Sequence, residues 1–241
     1  MTVATQKTSL IRFGYKFVFG NGEQTEFNVN LDPETLEFIP EREMKKPEWA
    51  KLKFSQCENC PLSDDVEYCP VAVNLSRVVD TFREKDSFEK TTISVETPER
   101  TYVRETSLQK GLSSIIGMLM TTSNCPILDK LRPNTRFHLP FATSLETFYR
   151  TVSMYLTAQF FEMREGRTPD WELKHLLEIY KQVAVVNKGF SRRLTNASTK
   201  DANVNALIIL HSFGDGISYF IENGLEEIKN MFTVYSRSPK E

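Results

Sequence analysis

The sequence predicts an α+β protein in which a small N-terminal antiparallel sheet packs on a mainly α-helical body. Three observations carry this expectation. Phe13, Tyr15, Phe17 and Phe19 fall on alternate positions, as a strand with one buried face requires. From residue 106 onward the apolar residues recur at helical spacing, as at Leu108, Leu112, Ile115, Ile116 and Leu119. With 241 residues, 40% hydrophobic and 26% charged, the chain can build a core that needs no disulfide staple.

Taken in order, Gly20-Asn21-Gly22 supplies a turn after the first strand, and Phe27, Val29 and Leu31 resume the alternation. Asp32-Pro33 marks a second turn before residues 36–39, so a short meander with one aromatic face is expected. A sheet this small needs a partner over that face. The charged, proline-broken run 40–49 reads as a linker. A second strand pair is expected over 91–105, bent at Pro98-Glu99-Arg100. Ile93 and Val95 lie on one face of it, with Tyr102 across the turn. It extends or covers the first sheet, or stands apart as a two-stranded flap.

Helices account for the rest. Val71, Leu75, Val78, Val79 and Phe82 make one stripe, and Thr143 followed by Glu146 is a capping-box start for a long helix. On that helix Leu145, Phe148, Val152, Tyr155, Phe160 and Met163 lie on or near one face, and Gly166 closes it. Asp170 can cap the next helix, whose Leu176, Tyr180 and Phe190 face inward. A helix over 201–211 is expected to stop at the glycines of Ser212-Phe213-Gly214-Asp215-Gly216, before a last helix that ends near Phe232. The organisation expected is one compact unit over 1–241. Residues 9–105 are its strand-rich part, with a cysteine-rich insertion, and 106–233 its helical part. Neither a repeat nor a heptad pattern is present.

Acidic residues outnumber basic ones by 32 to 30, a net charge of −2, which excludes a strongly basic nucleic-acid module. Sequence-specific nucleic-acid recognition is not expected either, since no RNP, helix-turn-helix or GxxG context accompanies the local charge. The apolar windows 115–120 and 207–210 are too short to cross a bilayer, and no secretory signal is legible. A cytoplasmic setting with reduced thiols is the resulting expectation.

The strongest chemical signal is the cysteines. Cys57 and Cys60 are separated by two residues, Cys69 follows after eight more, and Cys125 lies far downstream. Four thiolates at such positions can close a tetrahedral structural zinc site joining the strand region to the helices. Proline follows Cys60, Cys69 and Cys125, which puts Cys69 and Cys125 at helix caps, where N–H donors lower a thiol pKa. Cysteine before proline also occurs in iron–sulfur ligand runs, so a cluster is the runner-up. A third account leaves all four as reduced structural residues. The thioredoxin-like use of Cys57 and Cys60 lacks the helix that should follow directly. If Cys125 is an apolar core residue instead, His138 is the substitute ligand.

A second signal is the run 129–140, which carries Lys130, Arg132 and Arg136 against Asp129. Arg132, Arg136 and His138, with Arg150 from the next helix, could form a pocket for a small anionic or phosphate-bearing ligand. Their alternative is ion pairing that clamps a connector. His211 and Asp215 could form a base and its orienting carboxylate, but no nucleophile accompanies them. Asp201 and Asn205, one helical turn apart, could bind a cation or hydrogen-bond between helices. The long helices, rich in aromatic residues, make a homodimer a further expectation.

The phrases Cys57-Glu-Asn-Cys-Pro-Leu, Cys69-Pro-Val-Ala-Val-Asn-Leu, Gly111-Leu-Ser-Ser-Ile-Ile-Gly, Asn124-Cys-Pro-Ile-Leu and Phe137-His-Leu-Pro-Phe resemble an uncharacterised bacterial family, a domain of unknown function. The resemblance spans roughly residues 10 to 230 and implies a single family-wide unit in a bacterial cytosolic setting. It brings no activity, ligand or catalytic residue. The functional expectation is therefore a metal-stabilised binding or interaction module. An enzyme using a basic pocket around Arg132, Arg136 and His138, or an iron–sulfur redox protein, is the alternative.

Overall fold

The computed structural model describes residues 10–236. Strand β1 (Ile11–Phe19) turns at Gly22, whose φ of 84° suits glycine, into β2 (Gln24–Leu31). The second hairpin, β3 (Lys90–Glu96) and β4 (Thr101–Ser107), extends the first. All neighbours are antiparallel, in the order β2-β1-β3-β4. Val95 stands opposite Tyr102, as the alternation predicts. The third strand expected over 36–39 does not form, and only an isolated bridge between Leu31 and Phe38 remains. Asp32 explains the difference. Its Oδ1 accepts from the N–H groups of Glu34 at 2.9 Å and Thr35 at 2.8 Å, and Leu36 sits at φ 59°, so the chain curls instead of extending.

Two helices cover the aromatic face. The first, α1 (Pro70–Phe82), sends Phe82 between Phe17 and Phe27, with ring centroids 5.1 and 5.7 Å away. The second, α2 (Leu108–Thr121), approaches so closely that a Cβ at Gly111 would lie 2.0 Å from Ile93 Cδ1. Glycine is required there by contact with the sheet.

Three longer helices complete the body: α3 (Ser144–Arg164), α4 (Lys174–Ala197) and α5 (Ala202–Glu222). Both halves of the expected capping box form. The N–H of Glu146 donates to Thr143 Oγ1 at 3.3 Å, and the N–H of Thr143 donates to Glu146 Oε2 at 2.7 Å. Asp170 caps α4 by accepting from the N–H groups of Lys174 and His175. Helix α5 departs from expectation by running unbroken through Gly214 and Gly216. A Cβ at Gly216 would meet Phe148 Cζ at 2.6 Å, so close helix packing offsets the roughly 1 kcal/mol that a mid-helix glycine costs. By length and composition alone this uninterrupted helix could span a membrane, which the short windows 115–120 and 207–210 did not suggest. Its Ala202, Ala206, Leu207, Ile217 and Phe220 are buried inside the fold.

Two apolar cores result. The larger joins the sheet, α1 and α2 to the C-terminal half of α4. The smaller gathers Phe148 and Val152 of α3, Tyr180 of α4, and Ile217 and Phe220 of α5. Helix α3 buries only Phe148, Thr151 and Val152, while Phe160 and Met163, expected inside, are 46% and 45% exposed.

The irregular segment between β2 and α1 contains only short 3-10 turns, Glu48–Ala50 and Leu52–Phe54, so its carbonyls need outside donors. Arg193 of α4 supplies them. Buried at 1% exposure, its guanidinium donates to the carbonyls of Trp49, Lys51 (2.7 Å), Leu52 (3.0 Å) and Ser55 (2.8 Å). Arg193→Met should lower unfolding stability by about 3 kcal/mol or more, because several carbonyls lose their donor together. Arg193→Lys should recover only part, since one ammonium cannot reproduce a planar fork. Urea denaturation midpoints at unchanged slope check both, and a loss below about 1 kcal/mol for Met contradicts this account.

Candidate functional site

A cavity of about 440 Å³ lies at the seam between the two cores. Helix α2 contributes Met118 and Gly117, α4 contributes Tyr180 and Val183, and α5 contributes Leu210 and Ile217. The 3-10 stretch Leu128–Thr135, the loop after it, the first turns of α3 and Arg104 and Thr106 of β4 form the remaining wall. Its lining is mainly apolar, and its size falls in the range of ligand pockets.

Polar groups enter this wall at a few points. Tyr15 Oη, Ser114 Oγ and His138 Nε2 form a triangle with sides of 2.9 to 3.0 Å, and Ser114 and His138 both line the cavity. Burial, aided by the positive charge of Arg150, holds the His138 pKa down at about 3, so the ring is neutral. Among the described residues no carboxylate pairs with His138, so the triangle lacks the orienting member of a Ser-His-Asp arrangement. Burial likewise pushes the Tyr180 hydroxyl up to about 12, against the hydrogen bond from Thr151 and the charge of Arg150.

The expected basic pocket does not assemble around Arg132, Arg136 and His138. Arg132 is committed elsewhere, with Nη1 3.3 Å from Glu37 Oε1 and Nη2 2.6 Å from Asp129 Oδ1 and 2.8 Å from Asn124 Oδ1. Arg136 is exposed and stacks over Phe137, its guanidinium carbon 5.5 Å from the ring centroid. Of the four residues expected to bind a ligand, only His138 and Arg150 reach the cavity. The enzyme reading that relied on the other two is corrected accordingly.

The cysteine expectation is also corrected. Cys57, Cys60, Cys69 and Cys125 do share one neighbourhood, close enough for charge on one to be felt at the others. Among the described residues, however, no three His, Cys, Asp or Glu side chains are grouped so that they could hold a metal ion. Neither zinc nor an iron–sulfur cluster is therefore supported, and the reading of a metal-stabilised module is withdrawn. His138 does not act as a substitute ligand, being held in the triangle with Tyr15 and Ser114.

Burial dominates the titration of these thiols. It pushes the Cys57 thiol up to about 12, an effect reinforced by the other three thiols and opposed by Arg193. Cys69 and Cys125 do sit near the N–H groups of Ala72 and Val71, and of Leu128 and Ile127, which pull their pKa values down as cap positions should. Desolvation outweighs those donors, and both thiols end above their ordinary value.

The remaining polar candidates resolve into structural contacts. Asp201 Oδ1 and Oδ2 accept from the N–H and hydroxyl of Ser87 at 2.8 and 2.9 Å, and Oδ2 also accepts from Asn205 at 2.8 Å. His211 Nε2 lies 3.7 Å from Asp215 Oδ2 on a half-exposed helix face. Sequence reasoning missed Arg104, Lys110 and Ser114 as lining residues. The one available signal was Ser113-Ser114 interrupting an otherwise apolar stripe.

Residues 13–233 match the family described as Domain of unknown function (DUF6901), and the chain belongs to that family. No match was found among curated proteins or among solved structures.

Two outcomes follow from the perturbed groups. His138 binds a proton in the unfolded chain near pH 6.5 but resists it in the fold down to about 3. Stability should thus fall as pH drops through 6.5, by about 1 kcal/mol between pH 7 and pH 5.5 from this residue. Urea unfolding of His138→Gln should show that much less loss over the same step, and an unchanged loss would refute the assignment. For the thiols, timed alkylation at about pH 8 followed by mass spectrometry should find Cys57, Cys69 and Cys125 at least ~10-fold slower in the native than in the unfolded chain. Rapid native labelling of Cys57 would contradict its burial.

Proposed function

We propose that the protein is a binding protein for a small, mainly apolar molecule held in the cavity between the two cores. The observation that carries this reading is the cavity itself: about 440 Å³ of space whose lining surface is mainly apolar, set where two packed bodies meet. Close-packed interiors do not leave such volume between elements without cost, since each lining side chain loses dispersion contacts. A ligand with an apolar body restores them. The neutral His138 and the hydroxyls of Ser114 and Tyr180 give that ligand orientation and add no charge of their own.

Gly214 offers a direct test. It lines the cavity from within α5, and a Cβ there would make only an ordinary contact of 3.6 Å with Tyr180 Cδ1. Gly214→Leu should therefore fill space without breaking the helix, which gains from the loss of a mid-helix glycine. The neutral fluorophore N-phenyl-1-naphthylamine should bind the native protein with about 1:1 stoichiometry and be displaced by decanol. The variant should bind it at least ~10-fold more weakly at an undiminished melting temperature. Equal binding by the folded variant would place the probe elsewhere and overturn the reading.

A further inference from the structure

The charged groups of the cavity are all of one sign. Arg104, Lys110 and Arg150 line it, and among the described residues neither Asp nor Glu does. Among the described residues none of these three cations has an ion-pair partner, whereas basic side chains elsewhere, such as Lys85, Arg132 and Lys200, reach a carboxylate. Arg150 is the informative one. It projects from the second turn of α3, half-buried, and burial lowers its pKa more than the charge of Glu146 raises it, so its desolvation is only partly offset and no carboxylate is in contact with it among the described residues. Its Nη1 makes one long contact of 3.5 Å with the carbonyl of Phe137, while its buried Nε has no acceptor. The nearest acid in sequence, Glu146, is occupied by the capping box, accepting from both the N–H and the hydroxyl of Thr143. Asn134, also on the wall, leaves its buried Oδ1 without a donor.

A mainly apolar cavity with one half-buried, unpaired guanidinium inside and two exposed cations beside it has the polarity of an amphipathic acid. We infer that the ligand is a monocarboxylic acid with an apolar tail, its carboxylate received by Arg150 and its tail lying along Met118, Val183 and Ile217. This rests on the cavity being the binding site. The fork of a guanidinium matches the two oxygens of a carboxylate, and the open Nε edge is one of its two-pronged faces. Only one cation is buried enough to need neutralising, which fits a single negative charge. Arg104, whose Nη1 donates to the carbonyl of Phe141 at 3.3 Å, and Lys110 are exposed, so they add attraction for an incoming anion and no deep contact.

The test compares decanoate with decanol, equal in tail and different in head, by displacement of N-phenyl-1-naphthylamine from the full chain. Native protein should prefer decanoate by about tenfold or more, because a charge-assisted pair forms in a low-dielectric wall. Arg150→Met, with its melting temperature measured, should abolish that preference and leave decanol binding within about twofold. The surface variant Arg104→Gln/Lys110→Gln keeps the buried residue. It should weaken decanoate by about threefold and flatten its dependence on salt. Equal binding of acid and alcohol by the native protein, or a preference that survives in folded Arg150→Met, would overturn the carboxylate assignment while leaving an apolar-ligand cavity intact. Failure of both compounds to displace the probe would instead overturn the cavity reading and this inference with it.

Discussion

A buried guanidinium without a carboxylate organises the middle of this molecule. The stretch between β2 and α1 has neither a sheet edge nor a long helix to receive its carbonyl oxygens, so without donors from elsewhere it would have to stay in water. Arg193 ends that problem in one residue, reaching four carbonyls from a position nearly two hundred residues from the N-terminus. Because the oxygens are neutral, the cation is solvated by dipoles and no ion pair is needed to keep it charged. The same side chain lies near the cysteines and lowers the cost of any negative charge there, though not by enough to offset burial. Helix α4 is thereby fixed against the irregular segment at one end while its other end packs with α3 and α5.

That double duty of α4 creates the seam. Its C-terminal half belongs to the core under the sheet, through Val186, Phe190 and Leu194, and its first turns, through Leu176 and Tyr180, to the core with Phe148 and Phe220. Two separately close-packed bodies sharing one helix cannot also be close-packed against each other everywhere, because the helix sets their separation. Helix α3 crosses the gap with only three buried residues, and α5 meets it with two glycines, one in tight contact with Phe148 and the other open to the cavity. The cavity is what the geometry of these contacts leaves over, with Arg104, Lys110 and Arg150 on its wall.

The cysteines show how a correct local argument can give a wrong conclusion. Cap positions at Cys69 and Cys125 do bring N–H groups to the thiols, as the following prolines indicate. Protonation is decided by those donors together with the desolvation that burial imposes, and desolvation outweighs them. Proximity of four thiols is likewise not coordination, which needs donors directed at a common point. A similar reversal applies to Arg132, whose partners Glu37 and Asn124 come from before and after α1 and α2, beyond the reach of any local pattern.

Periodicity alone determined the α+β class, the strand pairs, the start of α3 at Thr143 and the cap at Asp170, because alternation, helical spacing and capping chemistry act within a few residues. It also placed His138 and Arg150 among the candidates for binding, on residue type. Tertiary structure decided which of the charged groups were spent on pairing and which were left over, whether the glycines of α5 stopped the helix or let another pass, and that a cavity existed at all. Those outcomes depend on distances between segments far apart in the chain, and burial, which sets both pKa and the worth of an ion pair, is a property of the assembled surroundings and not of the residue.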